Sequence, residues 1–300
     1  GFVVVAVVPM LPLTIIAQRS TDAETRLAVQ EDLASAASLV AAEVDLHIRE
    51  HVHAIGLVAD VLSQEGDLDA APQILGSAQR HFPNFLALIA ADTTGRLVTA
   101  AHSDRIDGDT NWQGQYVDDR EYFREAMRSL DTFVSDVFLS RGFATAPVVA
   151  IARGVDGPDG RRVGIVEGSL DLSHFARFAQ LHAARVEADV ALLDRDNRVV
   201  FVTGGVAEVL QDASDHPFVR AALAGERQYT NTSGRGYAVT AATAVGARWK
   251  VLISRSDAPL VAQLESQLVS AVLGVYGAAA LALLLAELVG GRVARPMERL

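Results

Sequence analysis

The sequence predicts an α+β protein: a long N-terminal helix plus two modules with antiparallel sheets, flanked by two transmembrane helices. Three observations carry this. From Arg19 to Leu62 apolar residues step by three or four along one face. After that helix, helix-like and strand-like runs recur in the same order twice. Two apolar runs, Gly1–Ala17 and Leu268–Val289, bracket the whole.

Composition narrows the function classes. The 300 residues are half apolar, enough for a large core, and their net charge is −11. No basic stripe is present to neutralise phosphates, so nucleic acid is excluded as a partner. The absence of cysteine removes disulfides and thiolate metal sites. The sequence begins without Met inside one apolar run and ends in a basic stretch, which reads as a piece of a longer protein.

The elements follow in order. Gly1–Ala17 reads as a membrane helix despite Pro9 and Pro12, because a bilayer helix can re-satisfy freed carbonyls locally. The long helix carries Leu33, Ala37, Val40, Val44, Ile48, Val52, Ile55, Val58 and Leu62 on one face and Glu31, Asp32, Glu43, Asp45, Arg49 and Glu50 on the other. At 1.5 Å per residue it spans roughly 65 Å, too long for one small domain. The Ala- and Val-rich stripe also suits close approach of a second copy. His47 and His51 are one helical turn apart with His53 nearby. A third ligand is not evident from spacing alone, so these read as a polar face, and no metal is expected.

Gly66-Asp67 and Pro72 break the helix, and a short helix runs Pro72–His81. Phe85–Ala91, the turn Asp92-Thr93-Thr94-Gly95, and Arg96–Ala101 form a hairpin. The loop Ala101–Gly114 carries Asp104, Asp107 and Asp109 but lacks the spacing and final Glu of a calcium loop. A helix over Arg120–Ser129 then leads into strands Thr132–Leu139, Ala146–Arg153 and Arg162–Leu170, the last two joined by the turn Asp156-Gly157-Pro158-Asp159-Gly160.

Leu172–His182 is a helix, and the cycle then repeats in trimmed form. Val190–Leu193 and Arg198–Thr203 repeat the hairpin, and Pro217–Leu223 (PFVRAAL) echoes Tyr122–Met127 (YFREAM). Arg227–Thr232, Tyr237–Ala244 and Trp249–Arg255 supply the closing strands, and Asp257–Gln267 resumes helical polarity. Leu268–Val289 would run about 33 Å as a helix, enough to cross the roughly 30 Å hydrocarbon core. Arg292, Arg295 and Arg299 follow it, which places that end in the cytoplasm and residues 18–267 outside.

Asp119-Arg120-Glu121-Tyr122-Phe123-Arg124-Glu125-Ala126, the strand Phe133–Val137 and the closing stretch Gly164–Leu172 resemble signature segments of double Cache domains. These are paired PAS-like sensor domains on the outside of bacterial transmembrane receptors. Arg292–Leu300, with Pro296 and Leu300, is similar to the start of a HAMP signalling helix. The resemblance divides the chain into a membrane helix (1–17), the long helix and connector (18–81), a membrane-distal Cache module (82–182), a membrane-proximal one (183–257), a connecting helix (258–267), a second membrane helix (268–289) and the start of HAMP (290–300). It implies an inner-membrane, multi-pass homodimer.

The resemblance further implies a small-molecule pocket in the distal module. By position its walls are Tyr116, Arg120, Tyr122, Phe123, Asp136, Phe138 and Ser169. The chemistry fits a carboxylate: Arg120 offers a planar fork of donors, Tyr122 and Phe123 apolar walls, and Asp136 an acceptor for an ammonium. Arg120 could alternatively pair with Asp118 or Asp119 to fix the start of its helix. In the amino-acid-binding subset an Asp on the closing strand holds the amine. Here Ser169 stands there, which points to a carboxylate or another small metabolite, or to no ligand.

The function so implied is extracytoplasmic sensing and transmembrane signalling, as the input region of a sensor histidine kinase. A diguanylate cyclase or a methyl-accepting chemoreceptor are the other outputs, and a ligand-free protein-interaction ectodomain is the reading from another class. No GxSxG elbow, P-loop, HExxH or nucleophilic cysteine is present, so no catalytic residue and no cofactor are expected.

Overall fold

A computed structural model describes residues 10–104, 112–141, 145–203 and 208–258, and part of 269–284; for residues 10–22 only the backbone is described. It is α+β. The helices are α1 (Met10–Glu65), α2 (Ala71–His81), α3 (Glu121–Arg128), α4 (Ser173–Arg185) and α5 (Pro217–Leu223). The strands are β1 (Phe85–Asp92), β2 (Leu97–His102), β3 (Phe133–Val134), β4 (Phe138–Leu139), β5 (Pro147–Asp156), β6 (Arg162–Asp171), β7 (Asp189–Leu193), β8 (Val199–Val202), β9 (Gln228–Thr230), β10 (Gly236–Ala244) and β11 (Trp249–Ser256).

By contacts the chain forms two compact units. One comprises residues 1–31, 230–238 and 256–300; in it Arg26 pairs with Asp257 at 3.8 Å, and Asp257 N–H donates to Gly236 O at 3.0 Å. The other, residues 32–229 and 239–255, holds most of both sheets and the candidate site.

The two sheets share one order. The first runs β2-β1-β6-β5-β3, with β4 also on β5; the second runs β8-β7-β11-β10-β9. Counted within each sheet, with β3 and β4 taken as one interrupted strand, both read second, first, fifth, fourth, third. The strand pairs β1/β2, β1/β6, β5/β6, β7/β8 and β7/β11 are antiparallel. The repeat visible in the sequence is therefore a repeat of topology.

The stripe on α1 is its packing face. Leu33, Ala37, Val40, Val44, Ile48, Ile55, Val58 and Leu62 are all buried within the chain's own fold. They are not free to meet a second copy, which corrects the expected dimer face. Gly168 on β6 sets the approach: an added Cβ would collide with Phe85 and meet Ile55 Cδ1 at 2.9 Å. Ser63 Oγ accepts from Asp156 N–H at 3.0 Å, beside the first sheet. Asp45 accepts from Val245 and Gly246 N–H at 2.8 Å each, at the second. His47 and His51, expected on a polar face, are instead 6% and 3% exposed, enclosed by Phe85, Phe175 and His174.

The expected strand Thr132–Leu139 is broken into β3 and β4. The buried Ser135 is the cause. Its Oγ accepts from Ala150 N–H at 2.9 Å and donates to Asp136 O at 2.7 Å, taking a hydrogen bond that a regular ladder would give to backbone. The break turns Asp136 and Val137 toward the β7–β8 turn, where the buried Asp194 accepts from Val137 N–H at 3.2 Å and from Arg198 N–H at 2.8 Å.

Of the expected membrane helices, residues 1–9 and much of 268–289 lie outside the described residues, as do the HAMP-like tail, most of 258–267, Asp107 and Asp109. Residues 10–17 are the first turns of α1. Among the described residues, no helix is long and apolar enough to cross a membrane.

Candidate functional site

The site lies between β6, the start of α3 and the segment before it. That segment is held as an extra edge on β2: Leu97 N–H donates to Gln115 O at 3.0 Å, Val117 N–H to Gly95 O at 2.9 Å, and Arg96 bridges Tyr116. Gly95 can serve because its φ is +82°, which a side chain would resist, and because the Asp118 backbone sits against it. Arg120 is the extended residue capping α3, and its N–H bonds Val117 O at 3.0 Å.

Alternation on β6 does the rest. Ile165, Glu167 and Ser169 share the face under α3; Glu167 stands between Ala152 on β5 and Ile89 on β1, and Ser169 between Ala150 and Ala87. The small alanines leave room. The resulting cavity, about 30 Å³, is lined by Ile89, Leu97 and Val117 below and by Tyr116, Arg120, Tyr122, Phe138, Glu167 and Ser169 around it, with Gln115, Ser140 and Arg141 at its margin. That is room for ordered water and too little for a larger molecule.

Five of the seven expected residues are thus brought together: Tyr116, Arg120, Tyr122, Phe138 and Ser169. Phe123 is packed into the core with Ala126 and Ile165 rather than lining the cavity. Asp136 is also placed elsewhere. It is engaged by Arg195, whose Nε and Nη2 donate to its two oxygens at 2.9 Å each. Its carboxylate is therefore committed to Arg195 in the β7–β8 turn.

Arg120 is free of the structural partner weighed for it. Asp119 is gripped by Arg141 Nη2 at 2.7 Å on both oxygens, and this hydrogen-bonded pair holds the Asp119 carboxyl below its ordinary range. Among the described residues no carboxylate lies within ion-pair distance of Arg120. Its guanidinium lies 5.0 Å over the Phe138 ring and makes a long 3.4 Å bond to Leu139 O.

Glu167 was missed. It is 2% exposed, and its one short partner is the Ser169 hydroxyl, which donates to Oε1 at 2.7 Å. Burial pushes its carboxyl from 4.5 up to about 8; the Ser169 bond and the Arg120 charge oppose this but do not outweigh it. The residue could have been found from strand period: it lies two before Ser169, hence on the same face, inside an otherwise apolar and small-residue strand. Tyr122, also buried, has its phenol pushed well up by desolvation and remains a hydrogen-bond donor. The cavity thus holds a cation with no carboxylate partner among the described residues and a buried acid against apolar walls, a set of groups suited to a molecule bearing both charges.

In the second sheet the described residues at the corresponding place are large and apolar. Phe218, Val219, Val239 and Leu252 form one buried cluster under α5, with Tyr229 stacked on Phe218 at 5.8 Å.

No family model and no curated protein matches the chain. Solved structures do. The ligand-binding domain of Campylobacter jejuni chemoreceptor Tlp3, in complex with L-valine, aligns with a TM-score of 0.60 at 14% identity, covering 79% of this chain and 96% of that one. That of Pseudomonas fluorescens chemoreceptor CtaA, in complex with L-serine, gives 0.60 at 18% identity, covering 77% and 99%. An extracellular ligand binding receptor from Desulfohalobium retbaense gives 0.60 at 15% identity over 74% of this chain, which spans 40% of that receptor's length. The chain therefore has the fold of chemoreceptor ligand-binding domains.

Proposed function

We propose that this chain is the extracytoplasmic input region of a transmembrane receptor, and that it binds a small zwitterion, an amino acid or close relative, in the cavity under α3. The juxtaposition of unpaired Arg120 with buried Glu167 carries this reading. Arg120 would take the carboxylate through its fork of donors, and Glu167 the ammonium. Glu167 meets the requirement that the absent Asp at Ser169 left open. Structural neighbours in complex with L-valine and L-serine use the same fold, which supports the ligand class. The cavity has to widen to admit such a ligand, and Tyr116, 55% exposed, is the wall least held in place. A thermal-shift panel of amino acids, plain carboxylates and plain amines tests this. A ligand at about 100 times its dissociation constant stabilises by about 2.7 kcal/mol, and amino acids are expected to give the shift. A panel in which none shifts the melting temperature would favour the ligand-free ectodomain.

The membrane reading is part of this proposal. In the second apolar run the described residues are helical, and Val269, Leu273, Tyr276, Leu281 and Leu284 are exposed, as a lipid-facing surface requires. Reporter fusions at Gly66 or Gly160 are expected on the outer side, and fusions after Leu300 on the cytoplasmic side. Both on one side would end the two-span topology. The homodimer, with its own stripe buried, would use the exposed line Leu39, Leu46 and Leu57, and cysteines there should crosslink in membranes. The output remains proposed as a histidine kinase, with a diguanylate cyclase or chemoreceptor as alternatives; sequencing past residue 300 decides it.

A further inference from the structure

Outside the cavity, a cluster of histidines lies where α1 passes the start of α4. Sequence spacing offered only His47 and His51. The structure adds Glu50: one donor atom from each of His47, Glu50 and His51 lies within 4.8 Å of the other two. The three form a His-x-x-Glu-His run on a single helix, and two histidines at i and i+4 present their rings on one face.

The protonation pattern is already that of metal ligands. His51 Nδ1 lies 2.7 Å from His47 O. A carbonyl can only accept, so Nδ1 carries the proton and Nε2 keeps its lone pair. This is the backbone-anchored arrangement that orients ligating histidines. His47 Nε2 is buried and has no hydrogen-bond partner among the described residues, although its ring is only 6% exposed. Leaving such a nitrogen unmatched costs about 1–3 kcal/mol.

The surroundings suit a bound ion. His174 stacks on His47 at 4.2 Å, and Phe175 and Phe85 close the two imidazoles at 5.1 and 4.8 Å. Such an apolar shell strengthens coordination by excluding water. A crevice of about 280 Å³ beside the cluster, lined by Glu43, Leu46, His47, Glu50, His174 and Phe178, gives an entry path and space for a water ligand. Glu50 is exposed and turns at little cost.

We propose that His47, Glu50 and His51 form a zinc site, with two imidazole nitrogens, one carboxylate oxygen and a water completing a tetrahedron. The donor set selects the ion: two neutral nitrogens and one oxygen suit zinc and its neighbours in the transition series, whereas magnesium and calcium require oxygen ligands. Bound there, zinc satisfies the unmatched nitrogen and stiffens α1 beside α4. The site is separate from the cavity under α3 and does not depend on it.

The test uses the purified full chain, stripped with chelator and then dialysed against zinc. We expect one zinc per chain by elemental analysis, a melting temperature raised by zinc and not by magnesium, and a visible absorption band of tetrahedral intensity when cobalt replaces zinc. Glu50→Gln and His51→Gln should each weaken zinc binding by about tenfold or more. Glu50 is exposed, so Glu50→Gln should fold with an unchanged metal-free melting temperature and remains informative even if His51→Gln does not fold. Failure to retain zinc, or undiminished zinc affinity in Glu50→Gln, would overturn the proposal.

Discussion

Replacing Arg120 with alanine is expected to reduce affinity for a carboxylate-bearing ligand by roughly 30- to several-thousand-fold, the equivalent of about 2–5 kcal/mol for one lost partner of a desolvated charge pair. Arg120→Lys should also weaken binding, because lysine keeps the charge and loses the fork. Neither variant should much lower the ligand-free melting temperature, since no described carboxylate depends on this guanidinium and Asp119 is held by Arg141 instead. Asp136→Ala is the matched control. Its carboxylate is 14% exposed and bound by Arg195, so its loss should cost about 1–3 kcal/mol of stability, a drop of a few degrees, with ligand affinity unchanged. Calorimetric titration beside thermal melts reads both quantities. If Arg120→Ala melts early and binds normally, the residue is structural and the anchor is elsewhere.

The second large effect is a pH dependence centred on Glu167. With its carboxyl pushed up to about 8, the residue is mostly protonated at neutral pH. An ammonium requires the ionised form. Affinity for an amino acid should therefore rise by up to about tenfold per pH unit as pH increases toward 8, then level off, with a proton released on binding. A ligand carrying only a carboxylate predicts the reverse: it tolerates the neutral acid and loses affinity as Glu167 ionises above 8. Titration between pH 6 and 9 thus separates the two ligand classes, and Glu167→Gln should flatten either profile.

Stability carries an independent signature of the same group. A carboxyl whose folded value is raised contributes stability that is complete below about 4.5 and is lost as pH climbs through about 8. Glu167→Gln should match the parent near pH 5 and melt above it at pH 9, by an amount on the order of several kcal/mol, given about 1.4 kcal/mol per unit. Equal melting of parent and variant at pH 9 would show that the carboxyl is not desolvated.

Much of this architecture was legible because it is written in periodicity. The 3.6-residue stripe from Leu33 to Leu62 faces the core, and the YFREAM and PFVRAAL segments lie on helices at equivalent places in two sheets of one order. What escaped was long-range partnership. Asp136 looked like a ligand acceptor because its partner, Arg195, lies 59 positions on in the sequence. Thr132–Leu139 looked continuous because nothing local shows that Ser135 will take the Ala150 amide. His47 and His51 looked polar because a helical wheel does not show Phe85 and Phe175 closing over them. Glu167 was hidden for the opposite reason: resemblance drew attention to Ser169, while two-residue alternation on β6 pointed equally to its neighbour.

Gly168 stands between those two cavity residues and faces the other way, against Phe85 and Ile55. Between Val166 and Leu170, which share its face, Gly168 therefore presents bare backbone toward the long helix. Methylene stems would absorb a push by changing rotamer; bare backbone has no such slack. Under the proposed sensing role, a shift of β6 at this point would reach α1 through one layer of contact, the Ile55 side chain, so the glycine would act as a thin diaphragm between the two.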